Sequence, residues 1–332
     1  MNVIFVGPDC EKKKISGGLR RFKEAFDAFK NVNVGAFLEN KPRIRDHLFE
    51  KTNVYVAFDE RYLVNLFLFL FLLVNRNVIF FPRGNKIIHY ENSYSKLRLT
   101  IYRYFFSFLY SKCSILVFQT QAQYFEFEEM YNYTGRYKVL PNNINPSWMK
   151  ELIQNDERSY EIPKNKCLKV GFLGGLNERK GFKVLYQSLS LYIENGRIKL
   201  SIAGEDKEKF SNFNVEALGK IFGTEIQSFY KKNDIIMIPS RYDSFPNVLL
   251  EALASGCIPL ITRTPITEDI LGINSKLMFD RNEESIRDII DKIQTDDDFV
   301  RDLKMECLDL VDKYSFDWSM KIRETVLSEV SL

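Results

Sequence analysis

The sequence predicts an α/β fold made of two doubly wound, Rossmann-like domains. Short apolar runs such as Leu168–Leu173, Ile235–Ile238 and Ile258–Ile261 are too short for helices and read as buried strands. Helical spacing fills the gaps between them. After the loop Pro239–Pro246, the residues Val248, Leu249, Ala252 and Leu253 share a face, and Gly256 follows as a C-terminal cap. Such a strand–loop–helix–strand unit belongs to parallel sheets, whose ligands sit at the carboxyl ends of strands. The pattern stops in a polar stretch at 146–166 and restarts at Leu168, and 332 residues suffice for two domains. The predicted layout is a first domain at 1–145, a connection at 146–166, a second domain at 167–315 and a last helix at 316–332.

In the first domain Val3–Val6 reads as a buried strand, and Gly17-Gly18 opens a helix whose Leu19, Phe22, Ala25 and Phe26 are apolar. A glycine pair there lets backbone N–H groups approach a phosphate; any tight turn would look the same. Lys12, Lys13, Lys14, Arg20, Arg21 and Lys23 form a basic cluster, read either as a solvated face or as a seat for an anionic acceptor or membrane surface. Asn33–Phe37 and Val54–Phe58 read as strands, and Asp59-Glu60 as the cap of the next helix. The apolar run Tyr62–Val74 falls short of the ~20 residues of a membrane span and reads as a buried helix. Val78–Phe81 is the next strand, and it delivers Arg83-Gly84 to a carboxyl end. Ile101–Leu109, flanked by Lys96, Arg98, Arg103 and Lys112, reads as a basic, aromatic helix, either lying on an anionic membrane or packed with one wet face. Ile115–Gln119 is a strand, Thr120 caps the helix after it, and YKVLPNNIN reads as strand then turn.

The second domain opens with Leu168–Leu173 and GGLNERKG. Gly174, Gly175 and Gly181 allow close backbone approach to a ligand, and Lys180 is placed to meet a phosphate, or else is an exposed lysine at a helix start. Lys199–Ile202 reads as a strand ending in AGED, Gly219–Phe222 as a strand ending in GTEI, and IQSFYKKND as a helix. Glu268–Leu271 reads as a short helix, Leu277–Phe279 as a short strand, and Ser285–Ile293 and Asp298–Tyr314 as helices. Asp296, Asp297 and Asp298 sit where a helix starts, so they cap it rather than bind metal.

Composition is that of a folded chain, 45% hydrophobic and 27% charged, and a net charge of +3 gives no case for nucleic acid. Five scattered cysteines show no disulfide or metal spacing, which points to a reducing compartment, and two histidines make a histidine metal site implausible. The opening MNVIFVGPD runs straight into a strand without the pattern of a signal peptide, so a cytoplasmic protein is expected.

Chemistry concentrates between Ile235 and Ile261. Asp243 lies in the loop and Glu251 eight positions later in the helix, with a helix N-terminus between them. Unpaired N–H groups there suit a diphosphate, and the flanking carboxylates suit sugar and ribose hydroxyls. On spacing alone they read rather as a loop acid and a solvated helix acid. The stretch PSRYDSFPNVLLEALASGCIPL, however, resembles the acid-x7-acid signature of the retaining glycosyltransferases of family 4, also called group 1. The first acid, usually Glu, is Asp here. Leu176, Lys180 and Gly181 match the family's Gly-Arg-Leu and Lys-Gly pattern, with Gly175 in place of Arg; Arg179 and Arg241 could supply the missing cation. The turn Pro82-Arg83-Gly84 resembles members that build surface polysaccharides.

The resemblance implies a GT-B fold, two Rossmann-like domains facing across a cleft, with the tail crossing back to the first. It implies transfer of a sugar from a nucleotide diphosphate, UDP favoured, to a hydroxyl of a saccharide or lipid-linked acceptor, with retention and without metal or other cofactor. The implied donor site takes in Gly17, Gly18, Gly174, Gly175, Ser244, Phe245, Asn247, Val248, Leu249 and Glu251, with Gly223, Thr224 and Glu225 near the base. Asp243 would hold the sugar, Lys180 the phosphates, and Arg83 the acceptor, the sugar or the phosphates, unless it is a buried structural arginine. Peripheral contact with the inner membrane face through the basic first domain is expected, and no nucleic acid. The competing readings are a catalytically silent subunit of the same fold partnering another transferase, and a nucleotide-sugar epimerase or hydrolase.

Overall fold

Apolar runs become strands of two parallel sheets in the computed structural model, which describes residues 2–7, 17–29, 53–60, 63–64, 77–91, 93–144, 162 and 167–330. The chain divides into two units, one of Met1–Pro141 with Asp317–Leu332, the other of Asn142–Phe316. The strand expected at 33–37, most of the apolar run 62–74 and nearly all of the connection 146–166 lie outside the described residues.

In the first unit β1 (Asn2–Val6), β2 (Asn53–Ala57), β3 (Val78–Phe80), β4 (Ile115–Phe118) and β5 (Tyr137–Val139) lie side by side in that order, each parallel to its neighbours. Both faces of such a sheet are covered, so β3 and β4 are buried at every position. Aromatic rings fill the space. Phe118 alone meets Phe127 at 5.0 Å, Tyr124 at 5.8 Å, and Tyr133 and Tyr137 at 6.2 Å. Aromatic rings thus make up much of this unit's described core. Thr120 accepts from the Gln123 N–H, the cap expected for the helix Gln121–Tyr131. The C-terminal helix Trp318–Val330 packs in this unit, where Trp318 Nε1 donates to the Pro141 carbonyl at 3.1 Å and Glu329 pairs with Arg136 and Lys138.

The second unit has strand order β11 (Met278–Phe279), β10 (Ile258–Thr262), β9 (Ile235–Ile238), β6 (Leu168–Leu173), β7 (Ile198–Ala203), β8 (Glu216–Gly219), again parallel throughout. The chain builds outward from β6 to β8, then returns to β6's other edge and builds the opposite way. The order therefore reverses between β6 and β9, the place where doubly wound sheets open a crevice at their carboxyl ends. The strand expected at Gly219–Phe222 lies earlier, at Glu216–Gly219. Gly219 ends it because its φ of 81° leaves the extended region, and Gly223, at φ 57°, turns the chain into the helix Thr224–Lys232. Asp296 caps the helix Asp297–Tyr314 by accepting from the Phe299 N–H at 2.9 Å, which accounts for the acidic triplet.

Phe118→Ala should cost about 3–5 kcal/mol of stability, the usual result of emptying a ring from a packed core. Urea unfolding followed by circular dichroism would measure it; a loss well below this range would mean that the surrounding rings collapse into the space.

Candidate functional site

Two loops meet at the reversal point of the second sheet, one leaving β6 and one leaving β9. The first runs Gly174 to Gly181. Asn177 turns it by accepting from the Lys180 N–H at 3.1 Å, and Gly181 closes it at φ 76° before the helix Phe182–Glu194. A Cβ on Gly181 would stand 2.0 Å from the Pro239 carbonyl oxygen, so only glycine lets the loops come this close. The contact is reinforced on both sides: the Arg241 N–H donates to the Arg179 carbonyl at 2.7 Å, and Arg281 Nε donates to the Pro239 carbonyl at 3.0 Å. Arg281 also reaches the Glu178 carbonyl, clamping both loops from a third segment.

This closeness brings Lys180 onto Asp243. Its ammonium lies 3.0 and 2.9 Å from the two carboxylate oxygens. Arg179 donates to Asp243 Oδ1 and to the Tyr242 carbonyl, both at 2.9 Å. The carboxylate therefore sits between two cations, all three groups partly exposed. Of the two replacements considered for the arginine missing at 175, Arg179 is at the carboxylate and Arg241 is exposed on the β9 loop. Gly174 packs beside the Lys180 stem, since a Cβ there would lie 3.5 Å from Cγ; at Gly175 a Cβ would lie 3.3 Å from a Glu205 oxygen.

Beyond Asp243 the chain turns inward. Ser244 is buried, and the Phe245 ring sets its edge against Tyr314 at 5.6 Å. Pro246 then caps the helix Asn247–Ala254. Leu249 is a core side chain, and its N–H donates to the Pro246 carbonyl, so the helix start can offer a ligand the N–H groups of Asn247 and Val248 but not that of Leu249. Asn142 Nδ2 donates to Asn247 Oδ1 at 3.2 Å and fixes that first residue. Glu251 accepts from the buried Tyr230 hydroxyl at 2.9 Å. Gly223, Thr224 and Glu225 form the exposed start of the next helix, where Glu225 accepts from the Phe222 N–H at 3.0 Å. Spacing gave no sign of Tyr230, Asn142 or Arg281, each supplied by a distant segment.

In the first unit the backbone of Gly17 and Gly18 begins the helix Gly17–Ala28. The described members of the basic cluster are not a free charged face. Arg21 is buried, pairs with Glu24 at 2.9 Å and stands over the Trp318 ring, while Lys23 pairs with Asp27. Arg83 lies at the end of β3, 4.9 Å from the centre of the Phe58 ring. Desolvation, helped by nearby Arg21, pulls its guanidinium down to about 10, still cationic at neutral pH. Asp59 bonds the following turn through its carbonyl, to the Leu63 N–H, whereas Glu60 goes to a buried network the sequence did not announce. Lys86 lies 3.2 Å from it and Tyr110 donates to it at 3.2 Å, yet burial still pushes its carboxyl above the usual range. Among the described residues no acidic, histidine or cysteine group is arranged to hold a metal.

Against known proteins, the second unit decides the family likeness. Residues 167–296 match the glycosyl transferases group 1 family. An uncharacterized glycosyltransferase of Methanocaldococcus jannaschii is 28% identical over 212 residues, 57% of this chain and 52% of that protein, so the matched region spans about half the relative's length. The fold extends over the whole chain. Sucrose-phosphate synthase from Thermosynechococcus elongatus superposes with a TM-score of 0.74 at 12% identity, covering 98% of this chain and 97% of that one. Anabaena HepE, solved with UDP and glucose, gives 0.66 at 14% identity, covering 100% and 99%. The architecture is that of the GT-B glycosyltransferases. The group 1 match contains Lys180, Asp243 and Glu251, the three groups around the helix start.

Gly181→Ala should destabilise the second unit by about 1–3 kcal/mol, because a methyl group would be forced against a backbone carbonyl at positive φ. The Tm of the variant, read by calorimetry, checks this; an unchanged Tm would mean that the two loops are not held at this distance.

Proposed function

We propose that the chain is a retaining glycosyltransferase that moves a sugar from a nucleotide-diphosphate sugar, UDP-linked by preference, to a hydroxyl of a saccharide or lipid-linked acceptor in surface-glycan synthesis. The observation that carries this reading is the convergence of Lys180 and Arg179 on Asp243 beside the start of the helix Asn247–Ala254. Two cations, one carboxylate and a helix N-terminus leave a net positive seat suited to a diphosphate's charge. In the proposed complex the Asn247 and Val248 N–H groups and the Lys180 ammonium take the phosphates, Asp243 the sugar hydroxyls and Glu251 the ribose. The cations stabilise charge as it develops on the leaving diphosphate, so the reaction needs no divalent metal. The departing phosphate helps take the acceptor proton on the same face, which gives retention without a covalent nucleophile. In the first unit Gly17, Gly18 and Arg83 are assigned to anion and acceptor contacts. HepE's complex with UDP and glucose supports the choice of donor, and the Pro82-Arg83-Gly84 turn supports a glycan acceptor.

The test is thermal unfolding with UDP, GDP, ADP, TDP and CMP, each with and without magnesium. A ligand at about 100 times its Kd adds roughly 2.7 kcal/mol to the folded state, so UDP should raise Tm clearly in either condition. Turnover of the matching sugar nucleotide should fall about 10²–10³-fold in Lys180→Ala. No shift with any nucleotide would replace this reading with a catalytically silent subunit; full activity in both Lys180→Ala and Glu251→Ala would overturn the site assignment.

A further inference from the structure

The helix Lys96–Ser111 is apolar on two opposite faces. At about 100° per residue, Phe106, Leu109 and Tyr110 fall on one side and are buried. Leu97, Ile101, Tyr104, Phe105 and Phe108 fall on the other and are exposed by 73, 58, 71, 42 and 44%. They stand at positions i, i+4, i+7, i+8 and i+11, one stripe about 16 Å long. Scattered exposed apolar residues need no explanation, but a continuous aromatic stripe does. The charges on the helix itself have one sign. Lys96, Arg98, Arg103 and Lys112 are exposed along its flanks and end, and no Asp or Glu occurs from 96 to 112. Arg98 stacks on Tyr94 at 3.9 Å and Lys112 stands 5.3 Å from the Phe108 ring, so long cationic stems lie along the aromatic surface. No described helix is long and apolar enough to cross a membrane.

We infer that this stripe docks on a membrane surface containing anionic phospholipid, with Ile101, Tyr104, Phe105 and Phe108 entering the headgroup boundary and Lys96, Arg103 and Lys112 meeting lipid phosphates. Charge complementarity selects this occupant: an apolar helix face whose own helix carries only cations matches an anionic lipid surface. This helix is distinct from the basic cluster at 12–23, of which Arg21 and Lys23 are described and paired. The inference stands without the proposed transfer reaction, because vesicle binding is read with neither donor nor acceptor present.

The experiment is co-sedimentation of the full chain with vesicles of phosphatidylcholine alone, or with about one third phosphatidylglycerol. The wild type should pellet with the anionic vesicles, less so at high salt, and stay in solution with the neutral ones. Arg103→Glu with Lys112→Glu should weaken binding roughly tenfold or more. Tyr104→Ser with Phe108→Ser should abolish it, with Tm unchanged, since both pairs are on the surface. A wild type that ignores anionic vesicles, or variants that bind as it does, would overturn the inference. So would a wild-type dimer in light scattering that the Tyr104→Ser and Phe108→Ser pair converts to monomer, because the stripe would then be covered by a second copy of the chain.

Discussion

Gly181 against the Pro239 carbonyl is the contact on which the rest of the site depends. The two loops belong to neighbouring strands, but neighbouring strands do not by themselves bring loop tips together. Here the missing side chain at 181 lets one backbone press on the other, and Arg281 and the Arg241 N–H hold the pair from outside. Lys180 and Arg179 immediately precede that glycine, so the same contact delivers both cations to Asp243. The site's geometry is thus set by backbone packing at the sheet's reversal point, and its side chains inherit their positions.

The electrostatics follow from that placement. Asp243 alone at the helix start would repel a diphosphate. Paired with Lys180 and Arg179 it belongs to a cluster of net charge +1, beside a helix end equivalent to roughly half a positive charge. The carboxylate holds the two cations at fixed distance. For the proposed transfer this would be preorganisation, with the reorganisation completed in folding rather than at the moment of reaction. Glu251, held by a buried tyrosine hydroxyl, is prepared in the same way.

Much of this was legible in the sequence because parallel strands buried on both faces leave plain apolar runs. The strands at 168–173 and 235–238 and the Thr120 cap needed no tertiary information. The strand placed at 219–222 was misread because Ile221 and Phe222 look like a strand interior, while Gly219, the residue that ends it, is silent until its φ is known. Residues that act through long separation were not legible: Arg281 on Pro239, Tyr230 on Glu251 and Lys86 on Glu60 have no local signature. The two-faced helix at 96–111 was ambiguous for a different reason. Its periodicity is blurred because both sides are apolar, and only burial shows which side the core takes.

The two departures from the pattern that this stretch resembles, Gly175 for Arg and Asp243 for Glu, can be read together. Glu205 stands where a longer side chain at 175 would begin, so a cation there would meet an acid that already pairs with Lys209 at 3.0 Å. Arg179, four residues later in the same loop, carries a cation to the other side of the crevice mouth and reaches Asp243. An acid shorter by one methylene holds its carboxylate closer to the β9 loop backbone, where Arg179 also finds the Tyr242 carbonyl. In the proposed reading the seat thus keeps its positive charge, carried at the point where the two loops touch.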